Sequence, residues 1–244
     1  MNYRPALNIP PVVKNLILAN VVLFVITMVM EQMGTNLYTI LGLHFPLSDK
    51  FRLHQVFTHM FMHGSLSHIF FNMFALYMFG RVLESVWGPK RFLIFFLVTG
   101  LGAAALHSFV NFIEYQSVAS KMTAEQIAYV KEVGTQIWSE GKNFSDPLSG
   151  KLNILLNTPT VGASGAVFGI LLGFGMLFPN TELMLLFPPI PIKAKYFVAG
   201  YGALELYLGF SNSGGNIAHF AHLGGMLFGY FMIVYWRKHS NKFY

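Results

Sequence analysis

Residues 160–178 read TVGASGAVFGILLGFGMLF, an apolar run of 19 residues that carries no charge. A helix needs about 20 such residues to cross the hydrocarbon core of a bilayer. Gly165, Gly169 and Gly173 recur every four residues along one face of this helix. Small residues at that spacing let helix backbones approach closely in lipid. The stretch therefore predicts a membrane-spanning helix that packs tightly against a neighbour.

The whole 244-residue chain has the composition of a membrane protein. Hydrophobic residues make up 54% of it, charged residues 11%, and its mean hydropathy is +0.52. An ordinary soluble domain has roughly 25% charged residues and cannot bury this much apolar surface. The composition excludes a soluble globular domain, a disordered protein and, with no cysteine, a disulfide scaffold. The net charge of +6 lies in no dense Lys/Arg run, so no nucleic-acid partner is expected.

We predict an all-α, polytopic bundle of six membrane spans, folded as one domain over residues 1–244. The spans are predicted at 12–30, 66–86, 92–113, 160–178, 194–210 and 217–236. Residues 34–65 form a long first external loop, expected to lie in or dip into the membrane interface. Of the 16 Lys and Arg residues, this layout places ten on the side of the membrane that holds the N-terminus and six on the opposite side. This bias favours both termini in the cytoplasm.

Residues 114–157 are an external insertion and the only long polar stretch. Thr123 to Gln126 has the pattern of a capping box, in which a Thr and a Gln three residues later cap a helix start. Ile127, Val130 and Gly134 follow at helical spacing. An amphipathic helix is therefore expected, ending before the Asn143–Pro147 stretch. Its role stays open between substrate contact, a surface anchor and no specific role.

Four polar side chains fall at one depth of the predicted bundle. They are His68 and Asn72 in the second span, Ser164 in the fourth and His222 in the sixth. These three spans run in the same direction, and each residue lies within about two turns of the outer end of its span. Polar groups inside a span are costly and mark functional sites by default. Their common depth predicts one polar site near the outer face.

A second small-residue ridge, Gly225 and Gly229, lies just after His222 in the sixth span. Docking this ridge on the glycines that follow Ser164 brings the Ser164 hydroxyl and the His222 imidazole to hydrogen-bond distance. A serine beside a histidine is a nucleophile beside its general base. No Asp or Glu is expected at that depth, so a dyad rather than a triad is predicted.

The chemistry predicted for this site is acyl transfer to Ser164 followed by hydrolysis. Donors for the developing oxyanion are the Ser164 backbone N–H, the Asn72 amide and the His68 imidazole. Each polar residue alone has a plainer interpretation, as a serine bonded to its own helix or a packed histidine. The pairs His59/His63 and His219/His222 have ligand-like spacing but too few further ligands. No metal and no cofactor is therefore expected.

Three separated motifs, in order, resemble those of the rhomboid family of intramembrane serine proteases. They are residues 63–72 (HGSLSHIFFN) with 80–88 (GRVLESVWG), residues 162–169 (GASGAVFG) and residues 218–225 (AHFAHLGG) with Gly229. The resemblance covers most of the chain from about Val12 to Trp236. It implies the six-helix bacterial form of the fold.

The resemblance implies Ser164 as nucleophile, His222 as base, and His68 and Asn72 at the oxyanion. It adds three supporting residues, which are Gly162, Phe168 packed on the catalytic imidazole, and Glu84 holding the first loop. The chain departs from the family in the first loop, where His54-Gln55 replace a common Trp-Arg pair.

The implied function is a serine endopeptidase that cuts transmembrane segments of single-span or polytopic proteins near the extracytoplasmic face. Its implied setting is the lipid bilayer of a bacterial plasma membrane, with substrates entering beside the fifth span. Two alternatives stay open. One is a non-catalytic rhomboid-like protein that binds transmembrane helices. The other is a small transporter, which would need polar residues through the full depth of the bundle.

Overall fold

The structure is a computed structural model that describes residues 9–184, 189–211 and 217–239. Three helical segments in it have the length and hydropathy of membrane spans. They are α1 (Pro11–Gln32), the second span (Leu66–Trp87) and α6 (Pro89–Ala119). These segments lie where the first three spans were predicted, although α6 continues beyond Ile113. The chain is thus a multi-pass, mostly helical membrane protein.

The second span is not a uniform helix. It begins as α4 (Leu66–Ala75), widens into a π-helical turn (Leu76–Gly80) and ends as α5 (Arg81–Trp87). Gly88 then adopts a positive φ of 77°, which favours glycine. Pro89 occupies the first position of α6, where its missing N–H has no helical partner to lose. The two spans therefore join through a tight corner without a loop.

The remaining long elements are α9 (Ser164–Leu177), α10 (Ala194–Phe210) and α11 (Ile217–His239). They occupy the positions of the fourth to sixth predicted spans. α9 starts at Ser164 rather than at residue 160, and its 14 residues extend about 21 Å. That length is shorter than the ~30 Å hydrocarbon core, and the count of six full spans stays a prediction.

α9 packs against both α6 and α11, and these two helices also pack against each other. A Cβ atom added to Gly225 of α11 would collide with the backbone oxygen of Gly165. One added to Gly229 would lie 3.4 Å from the Gly169 Cα. The two glycine ridges therefore meet as predicted. The face of Gly169 that lacks a side chain is filled by Thr99 of α6.

A two-stranded antiparallel hairpin interrupts the otherwise helical chain. β1 (Glu182–Met184) and β2 (Pro191–Lys193) pair with Leu183 opposite Ile192, on the side of the bundle where α9 ends and α10 begins. The sequence analysis did not predict it, because three-residue strands leave almost no alternating pattern to detect.

The first external loop folds into two short helices, α2 (Leu37–Leu41) and α3 (Gln55–Thr58), followed by a 3₁₀ turn (His59–Phe61). Leu43 pairs with Thr160 through two backbone hydrogen bonds of 2.9 and 2.8 Å. The loop is therefore joined directly to the segment that leads into α9. We call the end of the bundle that carries this loop the loop side.

Gln55, one of the residues that replaces the Trp-Arg pair, organises this loop. Its side chain is fully buried. Its Oε1 accepts from the backbone N–H groups of Arg52 (3.0 Å) and His44 (3.3 Å). Its Nε2 donates to the backbone oxygen of Lys50 at 3.0 Å. Both ends of the amide thus hold backbone groups that would otherwise lack partners in the interior of the loop.

Replacing Gln55 by Ala is expected to lower the free energy of unfolding by about 2–3 kcal/mol, because several buried backbone groups lose their partners at once. Thermal unfolding in detergent micelles checks the stability, and limited proteolysis shows whether the first loop is cut faster. Gln136→Ala is the matched control, since Gln136 is exposed on the insertion. Equal melting temperatures for the two variants would contradict this role of Gln55.

The insertion contains two helices rather than the one predicted. α7 (Ala124–Ser139) begins with the expected capping box between Thr123 and Gln126. α8 (Pro147–Asn157) is capped by Asp146, whose side chain accepts from the Ser149 N–H at 2.8 Å. Leucines at helical spacing in α8 could have revealed it. These are Leu148, Leu152, Leu155 and Leu156.

The helix pair packs on the first loop. Phe45 of that loop shares a buried apolar cluster with Val130 of α7 and Leu152 of α8. Ser48 donates to the Leu156 backbone oxygen at 2.6 Å, and Lys50 Nζ donates to Asn157 Oδ1 at 2.8 Å. The insertion is therefore part of the folded body on the loop side.

Candidate active site

Ser164 is the first residue of α9. The chain reaches it through Gly162, whose φ of 126° is strained for any residue with a side chain. A Cβ atom on Gly162 would also lie 2.8 Å from His68 Nε2 and 3.6 Å from Ser164 Oγ. Gly162 is therefore needed both for its backbone angle and for the space between these two side chains.

Ser164 and His222 are in direct contact. The distance between Ser164 Oγ and His222 Nε2 is 2.9 Å, as expected for a hydrogen bond. The imidazole also stacks on the Phe168 ring, with centroids 4.1 Å apart and planes 7° apart. The stack fixes the plane of the imidazole, and the hydrogen bond aims Nε2 at the hydroxyl. The structure thus brings together three residues that the sequence placed in one site.

A carboxylate lies at the same depth, contrary to the prediction. Glu205 of α10 is 6% exposed. Its Oε2 lies 2.6 Å from His219 Nδ1 and 3.1 Å from His222 Nδ1. The second contact has ion-pair distance but not hydrogen-bond geometry, since His222 Nδ1 has no hydrogen-bond partner. The expectation that no Asp or Glu lies at this depth is therefore wrong, because an acid faces the far side of the His222 imidazole.

Glu205, His219 and His222 also have the residue types of a metal site, with ligand atoms within 4.8 Å of one another. Two ligands of one tetrahedral zinc ion lie roughly 3.3 Å apart, given bonds of about 2.0–2.1 Å. The 2.6 Å contact between His219 and Glu205 is shorter than that and fits a direct hydrogen bond. We therefore interpret these residues as a hydrogen-bonded cluster.

His68 and Asn72 lie on the buried face of α4, one turn apart. The Gly64 N–H donates to His68 Nδ1 at 3.4 Å, so the remaining ring proton belongs on Nε2, beside Gly162 and Ser164. Asn72 Nδ2 donates to the His68 backbone oxygen at 3.0 Å. An amide nitrogen has two N–H groups, and the second is not used by this bond.

Two further histidines support the loop side of the site. Burial lowers the pKa of His59 to about 4 and that of His63 to about 4, and the neighbouring His68 adds to the shift of His63. Both imidazoles are therefore neutral at neutral pH. His59 also lines a small cavity of about 30 Å³ beside Ser164, together with His107 and Thr160. That volume is enough for roughly one water molecule.

Glu84 does not hold the first loop, as the resemblance implied. Its carboxylate oxygens accept hydrogen bonds from the backbone N–H groups of Val12 (2.9 Å) and Val13 (2.8 Å). These are free N–H groups at the start of α1, where a negative charge also complements the helix dipole. The expectation for Glu84 was wrong because the first loop lies at the other end of the bundle.

The fold and the site define a helical membrane protein in which a serine–histidine pair lies at a helix start inside an apolar bundle. The sequence model of the Rhomboid domain matches residues 50–239. This chain belongs to the rhomboid family.

Several rhomboid-like proteins from eukaryotes are similar in sequence. "RHOMBOID-like protein 12, mitochondrial" of Arabidopsis thaliana is 31% identical over 219 residues, covering 88% of this chain and 55% of that protein. "Presenilin-associated rhomboid-like protein, mitochondrial" of Homo sapiens is 26% identical over 180 residues, covering 72% and 36%. "Rhomboid protein 1, mitochondrial" of Saccharomyces cerevisiae is 27% identical over 170 residues, covering 69% and 38%.

These relatives overturn the expected location. All three are named as mitochondrial proteins, whereas the compact layout led to a bacterial plasma membrane with cytoplasmic termini. The number of spans and the charge bias describe a bundle and its orientation, and neither carries information about the organelle. The chain spans about a third to a half of the length of these relatives.

Proposed function

We propose that the protein is an intramembrane serine endopeptidase that cleaves transmembrane segments of other membrane proteins. One observation carries the proposal, namely the 2.9 Å contact between Ser164 Oγ and His222 Nε2. A serine is a weak nucleophile unless a base accepts its proton. The contact supplies that base inside an apolar bundle, where a chance polar pair would be costly.

The reaction proceeds by acyl transfer. Ser164 Oγ attacks the scissile carbonyl carbon while its proton moves to His222 Nε2, and the π electron pair of the carbonyl moves to the oxygen. The intermediate collapses, the peptide C–N bond breaks, and the nitrogen takes the proton from His222. A water then attacks the acyl-serine with His222 again as base, which releases the carboxylic acid and restores Ser164.

Three donors surround the position of the developing oxyanion. The first N–H groups of α9 have no carbonyl partner within the helix, and the helix dipole favours negative charge there. His68 contributes its Nε2–H and Asn72 its second amide N–H. Fixed donors of this kind stabilise the transition state without reorganisation.

Substrates reach the site beside α10. Among its 17 residues only Ala194, Val198, Glu205 and Gly209 are buried, so most of this helix faces away from the bundle interior. A transmembrane substrate must unwind locally, because its backbone bonds are satisfied within its own helix. Helix-breaking sequences near the loop side are therefore the expected targets.

The names of the relatives support a setting in a mitochondrial membrane, with the bilayer and transmembrane substrate segments as partners. Six spans would place both termini on the same side of that membrane. The polar site around Ser164 would then lie near the opposite side of the membrane.

The experiment is a cleavage assay in proteoliposomes, with a single-span substrate that carries a helix-breaking sequence near one membrane face. A fluorophosphonate probe is applied in parallel, and peptide mass spectrometry locates the label. We expect cleavage near that face and a label on Ser164. If folded protein neither cleaves several such substrates nor takes up the probe, a non-catalytic role in binding transmembrane helices replaces this proposal.

A further inference from the structure

Glu205 lies beside the site, although the acyl-transfer steps proposed for Ser164 and His222 do not use it. It lies in the middle of an otherwise apolar stretch of α10 and is only 6% exposed. An ionisable group inside a span is expensive unless it is paired. Its described partners are both imidazoles of α11, His219 and His222.

The geometry around His222 gives the two ring nitrogens different neighbours. Nε2 faces the hydroxyl of Ser164 at 2.9 Å, and Nδ1 faces Oε2 of Glu205 at 3.1 Å. A carboxylate only accepts, so the tautomer that carries its proton on Nδ1 is favoured. That tautomer leaves the Nε2 lone pair free to take the serine proton.

His219 holds the carboxylate in place. Its Nδ1 lies 2.6 Å from the same Oε2 and donates to it. This bond limits the rotation of the Glu205 side chain and leaves Oε2 within reach of His222. The imidazole of His222 is fixed on its other face by Phe168.

We propose that Glu205 is a positioning residue for the general base. It selects the Nδ1–H tautomer of His222 and stabilises the imidazolium that forms when Ser164 loses its proton. The carboxylate stays ionised throughout and exchanges no proton, so the proton balance of the reaction is unchanged. The inference rests on the proposed function of Ser164 and His222.

The alternative is that Glu205 only ties α10 to α11. A tie affects the folded fraction and leaves the rate per folded molecule unchanged. Loss of a positioning carboxylate lowers the rate per folded molecule. The titratable groups that face His222 are Glu205 from α10, His219 from α11 and His68 from α4, and Glu205 is the anionic one among them.

The test compares Glu205→Gln, Glu205→Asp and the exposed control Glu182→Gln in proteoliposomes, with rates normalised to the folded fraction. Glu205→Gln is expected to lower kcat on the order of 10²–10⁴-fold, as loss of the orienting acid does in serine hydrolases. KM should stay within about threefold, because Glu205 does not contact the substrate. Glu205→Asp keeps the charge and should recover at least about tenfold of the lost kcat.

The split between kcat and KM gives a readout that a structural tie would not move. Loss of a tie lowers the folded fraction, which the normalisation removes, whereas loss of the orienting carboxylate lowers kcat per folded molecule and leaves KM in place.

The outcomes separate the two proposals. If Glu205→Gln keeps the wild-type kcat while Ser164→Ala is inactive, the role of Glu205 is refuted and the protease function stands. If Glu205→Gln and Glu205→Asp lose activity equally and the loss disappears when rates are normalised to the folded fraction, Glu205 is a structural tie. If Ser164→Ala still cleaves, the proposed function itself is wrong.

Discussion

Ser164→Ala is expected to reduce cleavage of a transmembrane substrate to background. In serine hydrolases, loss of the nucleophile lowers kcat by roughly 10⁶-fold. The same size of effect is expected here, because Ser164 Oγ is the atom that His222 contacts at 2.9 Å. Initial rates in proteoliposomes, with product masses from mass spectrometry, measure the loss.

The matched control is Ser85→Ala, which removes an exposed hydroxyl near the opposite end of the second span. Its rate should stay within about twofold of the wild type. His222→Ala should cost about as much as Ser164→Ala. The double variant should be no worse than either single variant, because the two residues act as a unit. Residual cleavage by Ser164→Ala above that of heat-inactivated protein would assign the nucleophile to another residue.

Gly225→Ala is expected to damage both stability and activity, although it adds one methyl group. The added Cβ would collide with backbone atoms of Gly165 on the next helix, which cannot rotate away as a side chain can. α9 and α11 must then separate, which costs about 1–3 kcal/mol or more. Gly165 directly follows Ser164, so the separation also lengthens the contact with His222. A displacement of about 1 Å at a reacting pair can cost about 100-fold in rate.

Gly200→Ala is the control for this experiment. Gly200 lies within α10, and nothing is within 4 Å of the position of its added Cβ atom. Alanine there should leave activity unchanged and add up to about 1 kcal/mol of helix stability. Thermal unfolding and cleavage rates of the two variants are compared in the same lipid. A Gly225→Ala variant as stable and active as Gly200→Ala would show that α9 and α11 do not pack through this contact.

The meeting of Ser164 and His222 could be predicted from the sequence because two simple regularities determine it. Spans that run in one direction place residues at equal distance from their starts at equal depth. Glycines four residues apart mark the faces that approach most closely. Each rule uses only the positions of residues along a helix, which the sequence supplies. The structure agrees with the second rule, because Gly225 packs against the Gly165 backbone.

Glu205 escaped that reasoning because α10 runs in the opposite direction. Glu205 is the twelfth residue from the start of α10, so counting from helix starts places it much deeper than Ser164 or His222. Measured from its end at Phe210 it is about as deep as His222 is from the start of α11. Glu84 was misplaced for another reason. Its role came from resemblance, whereas its actual partners, Val12 and Val13, are more than 70 residues away in sequence.

The role of Gln55 and the existence of the hairpin depend on local geometry that composition does not carry. A buried glutamine has the same sequence signal as an exposed one. Its partners are backbone groups, which every residue possesses. Three-residue strands fall below the length at which periodicity separates one element from another.

The π-helical turn in the second span bears on how this segment compares with related chains. A π turn closes its hydrogen bonds over five residues instead of four, so it holds one residue more than an α-helical turn. His68 and Asn72 before it face the site, and Glu84 after it faces the start of α1. One extra residue rotates the later part of the helix by about 100° relative to the earlier part. A relative with an uninterrupted α-helix here would align correctly on only one side of Leu76–Gly80, and would need a one-residue gap to align on both.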